Sequence, residues 1–159
     1  MIGFDIDGVL AEKPPASDKA WGKMNGAERN ARKEFLLQWY ENAGTLYQPT
    51  EPFVAISARK NEPAVTGITE DWLRKHYPMV RDVVLLPISR SIENVVRFKS
   101  AAIELYDITE FTEDNKKILK GLAAHNLDCK LWFWEKGMTE RVAYLSLIHI
   151  SEPTRRRGI

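Results

Sequence analysis

The sequence predicts an α/β domain built on a parallel sheet of about five strands, with flanking helices and a small helical cap insertion. Three observations predict this class. Short apolar runs of strand length alternate along the chain with longer segments of helical periodicity. Strands that alternate with helices pair in parallel through crossover connections. The first connection, about residues 11–52, is longer than one crossover needs, so we expect an insertion there.

Each strand is predicted from a short apolar run bounded by turn or polar residues. The five runs lie at residues 2–4, 53–57, 83–87, 108–112 and 130–134. Helices are predicted where apolar residues recur at helical spacing, at residues 28–42, 69–76, 91–105 and 116–125. Gly44 is the expected C-cap of the first helix, and Thr69 is the expected N-cap of the second.

A single domain is expected over residues 1–144, with the core in residues 1–10 and 53–144 and the cap in residues 11–52. Apolar positions recur from Ala27 to Ala43, so the cap helix is expected to be amphipathic, with this face in the core. Trp39 and Tyr40 on that face are interpreted as core residues, and stacking on a substrate base is the alternative. The cap is expected to cover the active edge of the sheet.

The C-terminal segment, residues 145–155, resembles the translation of a transposase-type sequencing adapter. We therefore interpret residues 145–159 as a non-native tail and expect its deletion to cost little stability. On this interpretation the natural C-terminus is missing, and His149 is not a candidate ligand. The alternative is a sixth strand at residues 145–150 followed by a basic tail.

Composition excludes several classes of function. The formal net charge of +1 argues against a large nucleic-acid footprint, and the three histidines are too scattered for a zinc cluster. No apolar stretch is long enough to span a membrane, and no signal peptide precedes the first acidic residues. The single cysteine, Cys129, fits a reducing compartment, so a cytoplasmic protein is expected. No pattern indicates the oligomeric state.

Polar side chains that suit phosphoryl transfer follow the predicted strands. Asp5 and Asp7 end the first strand, and Ser57 ends the second. The remaining candidates are Glu113 and Asp114 after the fourth strand and Lys99 in the helix before it. Carboxylates hold hard cations such as Mg²⁺, Lys and Ser orient phosphate oxygens, and an Asp can attack phosphorus. We therefore expect a phosphoryl-transfer site at this sheet edge.

These residues resemble the four motifs of the haloacid dehalogenase (HAD) superfamily of phosphohydrolases, which has a Rossmann-like core. The family motif D-x-D-x-[TV] resembles residues 5–9, and a strand ending in Thr or Ser resembles residues 53–57. A helical Lys or Arg resembles Lys99, and a strand ending in paired acids resembles residues 111–115. The resemblance covers about residues 1–135.

The resemblance implies an Mg²⁺-dependent phosphatase acting through an aspartyl-phosphate. Asp5 would be the nucleophile and a metal ligand. Asp7 would be the general acid and then the base, and its backbone carbonyl would also bind the metal. Asp114 would bind Mg²⁺ directly or through water, with Glu113 as helper. Glu113 departs from the more usual Asp at its position.

The resemblance also implies a phosphate-binding group. Ser57 and Lys99 would hold the phosphoryl group, with Ala58 and Arg59 beside them on the substrate side. Arg59 would touch a second substrate anion, or would be a surface residue. The expected substrate is a nucleotide or another small phosphorylated metabolite, because the small cap resembles those of HAD 5′-nucleotidases.

Other functions remain open at this point. One is a phosphotransferase or a nucleic-acid end phosphatase on the same core, although the near-neutral charge weakens the second. Another is a non-catalytic binding module with this fold, against which the intact acidic and Lys positions argue. A flavodoxin-like or receiver domain also uses an acidic sheet edge but rarely begins with D-x-D-G.

Overall fold

The computed structural model describes residues 1–125 and 127–151. The predicted tail from residue 152 onward, with its three arginines, lies outside the described residues. The strands are β1 (Ile2–Phe4), β2 (Phe53–Lys60), β3 (Val80–Leu86), β4 (Glu110–Glu113), β5 (Lys130–Phe133) and β6 (Val142–Ala143). The helices are α1 (Gly26–Asn42), α2 (Pro63–His76), α3 (Ile92–Leu105), α4 (Lys116–Ala124) and α5 (Tyr144–Ser151), with a short 3-10 helix at Trp21–Lys23.

The six strands form one sheet in the order β3-β2-β1-β4-β5-β6. Every pair is parallel except β5 with β6, where Phe133 lies opposite Val142 in an antiparallel pair. The predicted α/β class with a parallel, helix-flanked sheet is confirmed. The sheet has one strand more than expected, because β6 is only two residues long and leaves no apolar run in the sequence.

The sheet is covered by apolar side chains on both faces, as a parallel sheet requires. Successive residues of β2 alternate between them, since side chains on a strand point to opposite faces. Phe53 and Ala55 pack in one cluster with Trp72 of α2. Val54 and Ile56 belong to a second cluster, which α3 and α4 complete.

The start of α2 and the C-cap of α1 differ from the prediction. Helix α2 begins at Pro63, six residues before the expected cap Thr69, which is buried inside the helix. Proline suits the first helical turn because its missing N–H has no intrahelical partner there. Helix α1 ends at Asn42 with extended backbone at Ala43, so Gly44 is not its C-cap.

The two ends of the long connection between β1 and β2 pair with each other. Ala11 pairs antiparallel with Thr45, the Glu12 N–H donates to the Gly44 carbonyl at 2.9 Å, and the Leu46 N–H donates to the Leu10 carbonyl at 2.9 Å. We call this pairing of residues 10–12 with residues 44–46 the clasp. It holds both ends of the connection beside the carboxyl end of β1.

Helix α1, within this connection, is mostly exposed. It begins with a capping box, in which the Glu28 N–H donates to Asn25 Oδ1 at 2.8 Å and the Asn25 N–H donates to Glu28 Oε1 at 3.0 Å. Tyr40 is its only buried residue. The expected core face is therefore wrong for most of the helix, because only its last turn meets the core; Phe35 remains 40% exposed.

The start of the predicted tail is helical. Residues 144–151 form α5, so the alternative of a sixth strand at residues 145–150 is wrong. Leu147 and Ile148 pack against a small cluster that contains Leu119 and Phe133. Within the described part of the chain, no helix combines the length and apolar character needed to cross a bilayer.

Candidate functional site

The carboxyl ends of β1 and β4 bring Asp5 and Glu113 to one buried ammonium group. The Asp5 N–H donates to the Thr112 carbonyl at 3.0 Å, which holds residue 5 alongside β4. Lys99 reaches this point from α3, and its Nζ donates to Asp5 Oδ1 at 3.0 Å and to Glu113 Oε1 at 2.6 Å. All three side chains are at least nine-tenths buried. Two carboxylates therefore share one cation away from water.

Asp114 adds a third carboxylate to this group. One oxygen from each of Asp5, Glu113 and Asp114 lies within 4.8 Å of the others, a spacing that a single ion can bridge. The free oxygen of Glu113, Oε2, accepts from the Asp114 and Asn115 N–H groups at 3.1 and 3.2 Å. These bonds aim the side chain, and Asn115 then caps α4 by accepting from two N–H groups of its first turn.

The turn after β1 closes against Asp114. Gly8 has a φ of +89°, and a Cβ at this position would overlap the Asp114 carboxylate. Only glycine combines this left-handed backbone with so close an approach. The ammonium of Lys13, which is largely exposed, lies 2.8 Å from Asp114 Oδ2. The acidic group is thus approached by the backbone of Gly8 and by the exposed ammonium of Lys13.

Burial sets the electrostatics of the site. Burial raises the pKa of Asp5, against the opposing attraction of the Lys99 ammonium. Burial and then the Asp5 charge raise the pKa of Glu113 well above its ordinary value. Burial lowers the pKa of Lys99, but the two carboxylates outweigh it and the net shift is upward. The site therefore holds a permanent ammonium and is short of positive charge for its three carboxylates.

Asp7 points to a different partner. Arg59 donates from Nε to Asp7 Oδ2 at 3.0 Å and from Nη2 to Asp7 Oδ1 at 2.8 Å, a bidentate pair. Its Nη1 donates to Thr69 Oγ1 at 3.0 Å, and its guanidinium carbon lies 3.9 Å from the ring centre of Tyr40. Arg59 is fully buried, so the alternative that it is a surface residue is wrong; the anion that it meets in the structure is Asp7.

Ser57 and Ala58 stand slightly apart from the acidic group. Strand β2 continues three residues past Ser57, so Ser57 is not its last residue, although the register with β3 shifts directly after it. The buried Ser57 Oγ accepts from the Arg59 N–H at 3.1 Å. Ala58 is half-buried, and its carbonyl accepts from Arg90 at 3.1 Å. The contacts of Ser57 therefore connect it to the Arg59–Asp7 pair.

A cleft of about 420 Å³ opens beside Asp114. Gly8, Lys13 and Asp114 lie on its inner side, and Trp39 of α1 forms part of the outer wall. The Trp39 Nε1 donates to the Glu12 carbonyl at 2.9 Å, which fixes the ring relative to the clasp. A small phosphorylated molecule in this cleft would lie between the acidic group and an aromatic ring.

Sequence reasoning missed the site contacts of Lys13 and Thr69. Lys13 lies in a polar loop, where a lysine carries no positional signal, and Thr69 is predicted as a helix cap. Tyr40 is buried, as its interpretation as a core residue predicts, and it also contacts the Arg59 guanidinium. The structure adds the close contact of Gly8 with Asp114.

No protein-family model matches the sequence. No curated protein matches it either. The functional assignment therefore depends on the geometry of the site.

Proposed function

We propose that the chain is a metal-dependent phosphomonoester hydrolase of the HAD type, with Asp5 as its nucleophile. One observation carries this proposal: Asp5 is buried 3.0 Å from the Lys99 ammonium, in a three-carboxylate group beside an open cleft. An isolated carboxylate in such a place would be costly. A structural role alone gives no reason to collect three of them where one, Asp114, lines a cleft.

The donor set suits a hard divalent cation. Asp5, Glu113 and Asp114 offer carboxylate oxygens, the ligands that Mg²⁺ prefers, and the ammonium groups of Lys99 and Lys13 are two cations for three carboxylates. Gly8 adds no side chain of its own beside Asp114. When bound, Mg²⁺ would neutralise the negative charge that repels an anionic substrate from the carboxylates.

Asp5 would perform the covalent step. One oxygen of its carboxylate attacks phosphorus, a new oxygen–phosphorus bond forms, and the bond from phosphorus to the leaving oxygen breaks. Water then attacks phosphorus, the bond to Asp5 breaks, and inorganic phosphate leaves. Lys99 would keep Asp5 ionised before attack and offset charge on the phosphoryl oxygens during it.

Asp7 would move the protons. It gives one to the leaving oxygen in the first half-reaction and takes one from water in the second. Each carboxylate oxygen has two acceptor sites, and Arg59 occupies only one on each oxygen. The side chain is 22% exposed, so the other sites remain open to solvent and substrate.

Phosphate release from a panel of phosphomonoesters tests the proposal. The purified chain is assayed with Mg²⁺ and with EDTA, beside Asp5→Asn and the matched control Asp71→Asn, which changes an exposed carboxylate on α2. We expect metal-dependent release by the unaltered chain and the control, and none by Asp5→Asn. Circular dichroism establishes that both variants are folded. Turnover by folded Asp5→Asn would reject the nucleophile, and no turnover of any panel member by the unaltered chain would reject the activity.

A further inference from the structure

Helix α1 and the short helix before it carry an exposed surface of cations and aromatic rings that the proposed chemistry does not use. We call it the aromatic–basic track. It consists of Trp21, Arg29, Arg32, Lys33, Phe35 and Trp39. Trp21 is 46% exposed and Phe35 40% exposed. Large rings left in water along a helix with one buried residue are available to a partner.

The members of the track form two groups of cation–ring contacts. The Arg29 guanidinium lies 5.3 Å and the Lys33 ammonium 5.9 Å from the Trp21 ring centre. The Arg32 guanidinium lies 5.1 Å from the ring centre of Phe35. Each group therefore places cations against an aromatic ring.

The inner end of the track lies at the candidate site. The rings of Phe35 and Trp39 are 6.1 Å apart, and Trp39 lines the cleft together with Lys13 and Asp114. Arg32 also donates to the carbonyl of Pro15, another residue of the cleft wall, at 2.9 Å. The track is thus continuous with the opening that leads to the acidic group.

The track carries positive charge that the protein does not neutralise. Residues 19–39, which span the whole track, contain five basic residues and two acidic residues, Glu28 and Glu34, and Glu28 already pairs with Lys19. Among the described residues, no carboxylate lies within ion-pair distance of Arg29, Arg32 or Lys33. The charge near zero that the whole sequence shows is an average that conceals this local excess.

We propose that the aromatic–basic track binds a single-stranded nucleic acid and leads its phosphorylated end into the cleft. Single strands are held by cations on their phosphates and by aromatic rings on which bases stack, and the track offers both. From Arg29 to Trp39 the helix rises ~15 Å, which matches roughly four nucleotides at the spacing of a stacked strand. Delivery of the end rests on the proposed function, whereas binding along the track does not.

The chemistry of the track favours nucleic acid over a lipid surface. A helix that lies on a membrane inserts a broad apolar face of large side chains. The exposed apolar residues of α1 are Phe35, which belongs to the track, and the alanines Ala27 and Ala31. They offer little apolar surface for insertion into a membrane. Anionic vesicles therefore serve as the competing ligand in the test.

Binding is measured by fluorescence anisotropy with a fluorescein-labelled, 3′- or 5′-phosphorylated DNA 12-mer and the full chain carrying Asp5→Asn. The added double charge reversal Arg29→Glu/Lys33→Glu should weaken binding at least tenfold and reduce the salt slope by about 1.4. Its matched control is Arg74→Glu/Lys75→Glu, the same charge change in the last turn of α2, which should bind as before. Trp21→Ala should weaken binding about tenfold through lost stacking.

Turnover separates this proposal from the proposed function. In the chain with Asp5 intact, Arg29→Glu/Lys33→Glu should lower kcat/KM for the phosphorylated 12-mer at least fivefold more than for p-nitrophenyl phosphate. Turnover of p-nitrophenyl phosphate without oligonucleotide binding would overturn the track and leave the hydrolase standing. If the chain binds the oligonucleotide and the track variants weaken this binding, but no phosphate is released, both the delivery of the strand end to the cleft and the proposed hydrolase activity would be overturned.

Two further outcomes would overturn the binding surface itself. One is oligonucleotide binding that the track variants and the control weaken equally, which would show a non-specific charge effect. The other is binding to phosphatidylserine vesicles, but not to the 12-mer, that the track variants abolish. Melting temperatures of all variants show that the altered chains remain folded.

Discussion

Arg59 determines how the Asp7 carboxylate is presented. Its guanidinium holds both oxygens of Asp7, while Thr69 and the ring of Tyr40 hold the guanidinium. A planar fork matches a carboxylate in two places at once, whereas an ammonium can meet it only as a point charge. In the proposed reaction Arg59 would therefore be a positioning residue, which acts on the substrate through Asp7.

Replacing Arg59 by lysine should separate the effect of its positive charge from its effect on the orientation of the Asp7 carboxylate. Arg59→Lys keeps a cation beside Asp7 but loses the bidentate geometry, so we expect kcat to fall about a hundredfold with KM nearly unchanged. Steady-state kinetics on the best phosphomonoester, with Mg²⁺ present, measures both constants. Arg97→Lys is the control, because Arg97 makes only an exposed ion pair with Glu93. An unchanged kcat in Arg59→Lys would show that the fork does not orient a catalytic group.

The sequence predicted part of this site because parallel strands end at one sheet edge. That rule places Asp5 beside Glu113 and Asp114, and the structure brings their oxygens together. The Arg59–Asp7 pair could not be predicted, since its partners are 52 residues apart and no periodicity relates them. The contact of Lys13 with Asp114 depends on the path of a loop, which the sequence does not specify.

At the scale of elements, helix packing explains the different surroundings of two glycines. Gly121 of α4 faces α3, and a Cβ there would lie 2.6 Å from Val96 Cγ2. Gly67 of α2 is exposed, with open space where a Cβ would be. Glycine lowers the stability of a helix by a similar amount at both positions. Only at Gly121 does the packing of a neighbouring helix require the missing side chain.

Alanine at these two glycines should change stability in opposite directions. Gly67→Ala should raise the free energy of unfolding by about 0.5–1 kcal/mol, through helix propensity alone. Gly121→Ala gains the same but forces Val96 to move, which costs about 1–3 kcal/mol, so a net loss of about 1 kcal/mol is expected. Urea unfolding followed by circular dichroism measures both. Stabilisation by Gly121→Ala would show that α3 and α4 can separate without cost.

Element ends were harder to predict than element types. The existence of α1 to α4 was predicted from helical periodicity and that of the five longer strands from short apolar runs, whereas α5 was not predicted. The start of α2 was predicted six residues too late because Pro63 and Gly67 are typical of loops, although proline also fits the first turn of a helix. The prediction that the apolar face of α1 lies in the core was wrong for most of the helix. The spacing of apolar residues shows which of them share a face, but it does not show whether another element packs on that face.

At the scale of the whole molecule, α5 lies at the β5 side of the sheet and completes a small apolar cluster. Leu147 and Ile148 are half-buried there against Phe133. The resemblance of this segment to an adapter predicted a tail with little effect on stability. Its packing in the structure predicts a measurable effect instead.

Deleting residues 145–159 should lower the free energy of unfolding by about 1–2 kcal/mol, the value of two partly buried aliphatic side chains. For a chain of this size the melting temperature would fall by about 2–8 °C. Differential scanning calorimetry measures it, and deletion of residues 152–159 alone is the control that leaves α5 in place. An unchanged melting temperature in the longer deletion would show that α5 adds nothing to the fold.

The clasp has a consequence for how such a protein can evolve. Because residues 10–12 and 44–46 hold the two ends of the connection together, the chain between them forms a closed loop. Doubling the length of a closed loop costs only about 0.6 kcal/mol. The length and sequence of this loop can therefore change during evolution while the sheet edge next to it stays unaltered. The acidic residues and the aromatic–basic track can then accumulate mutations at different rates.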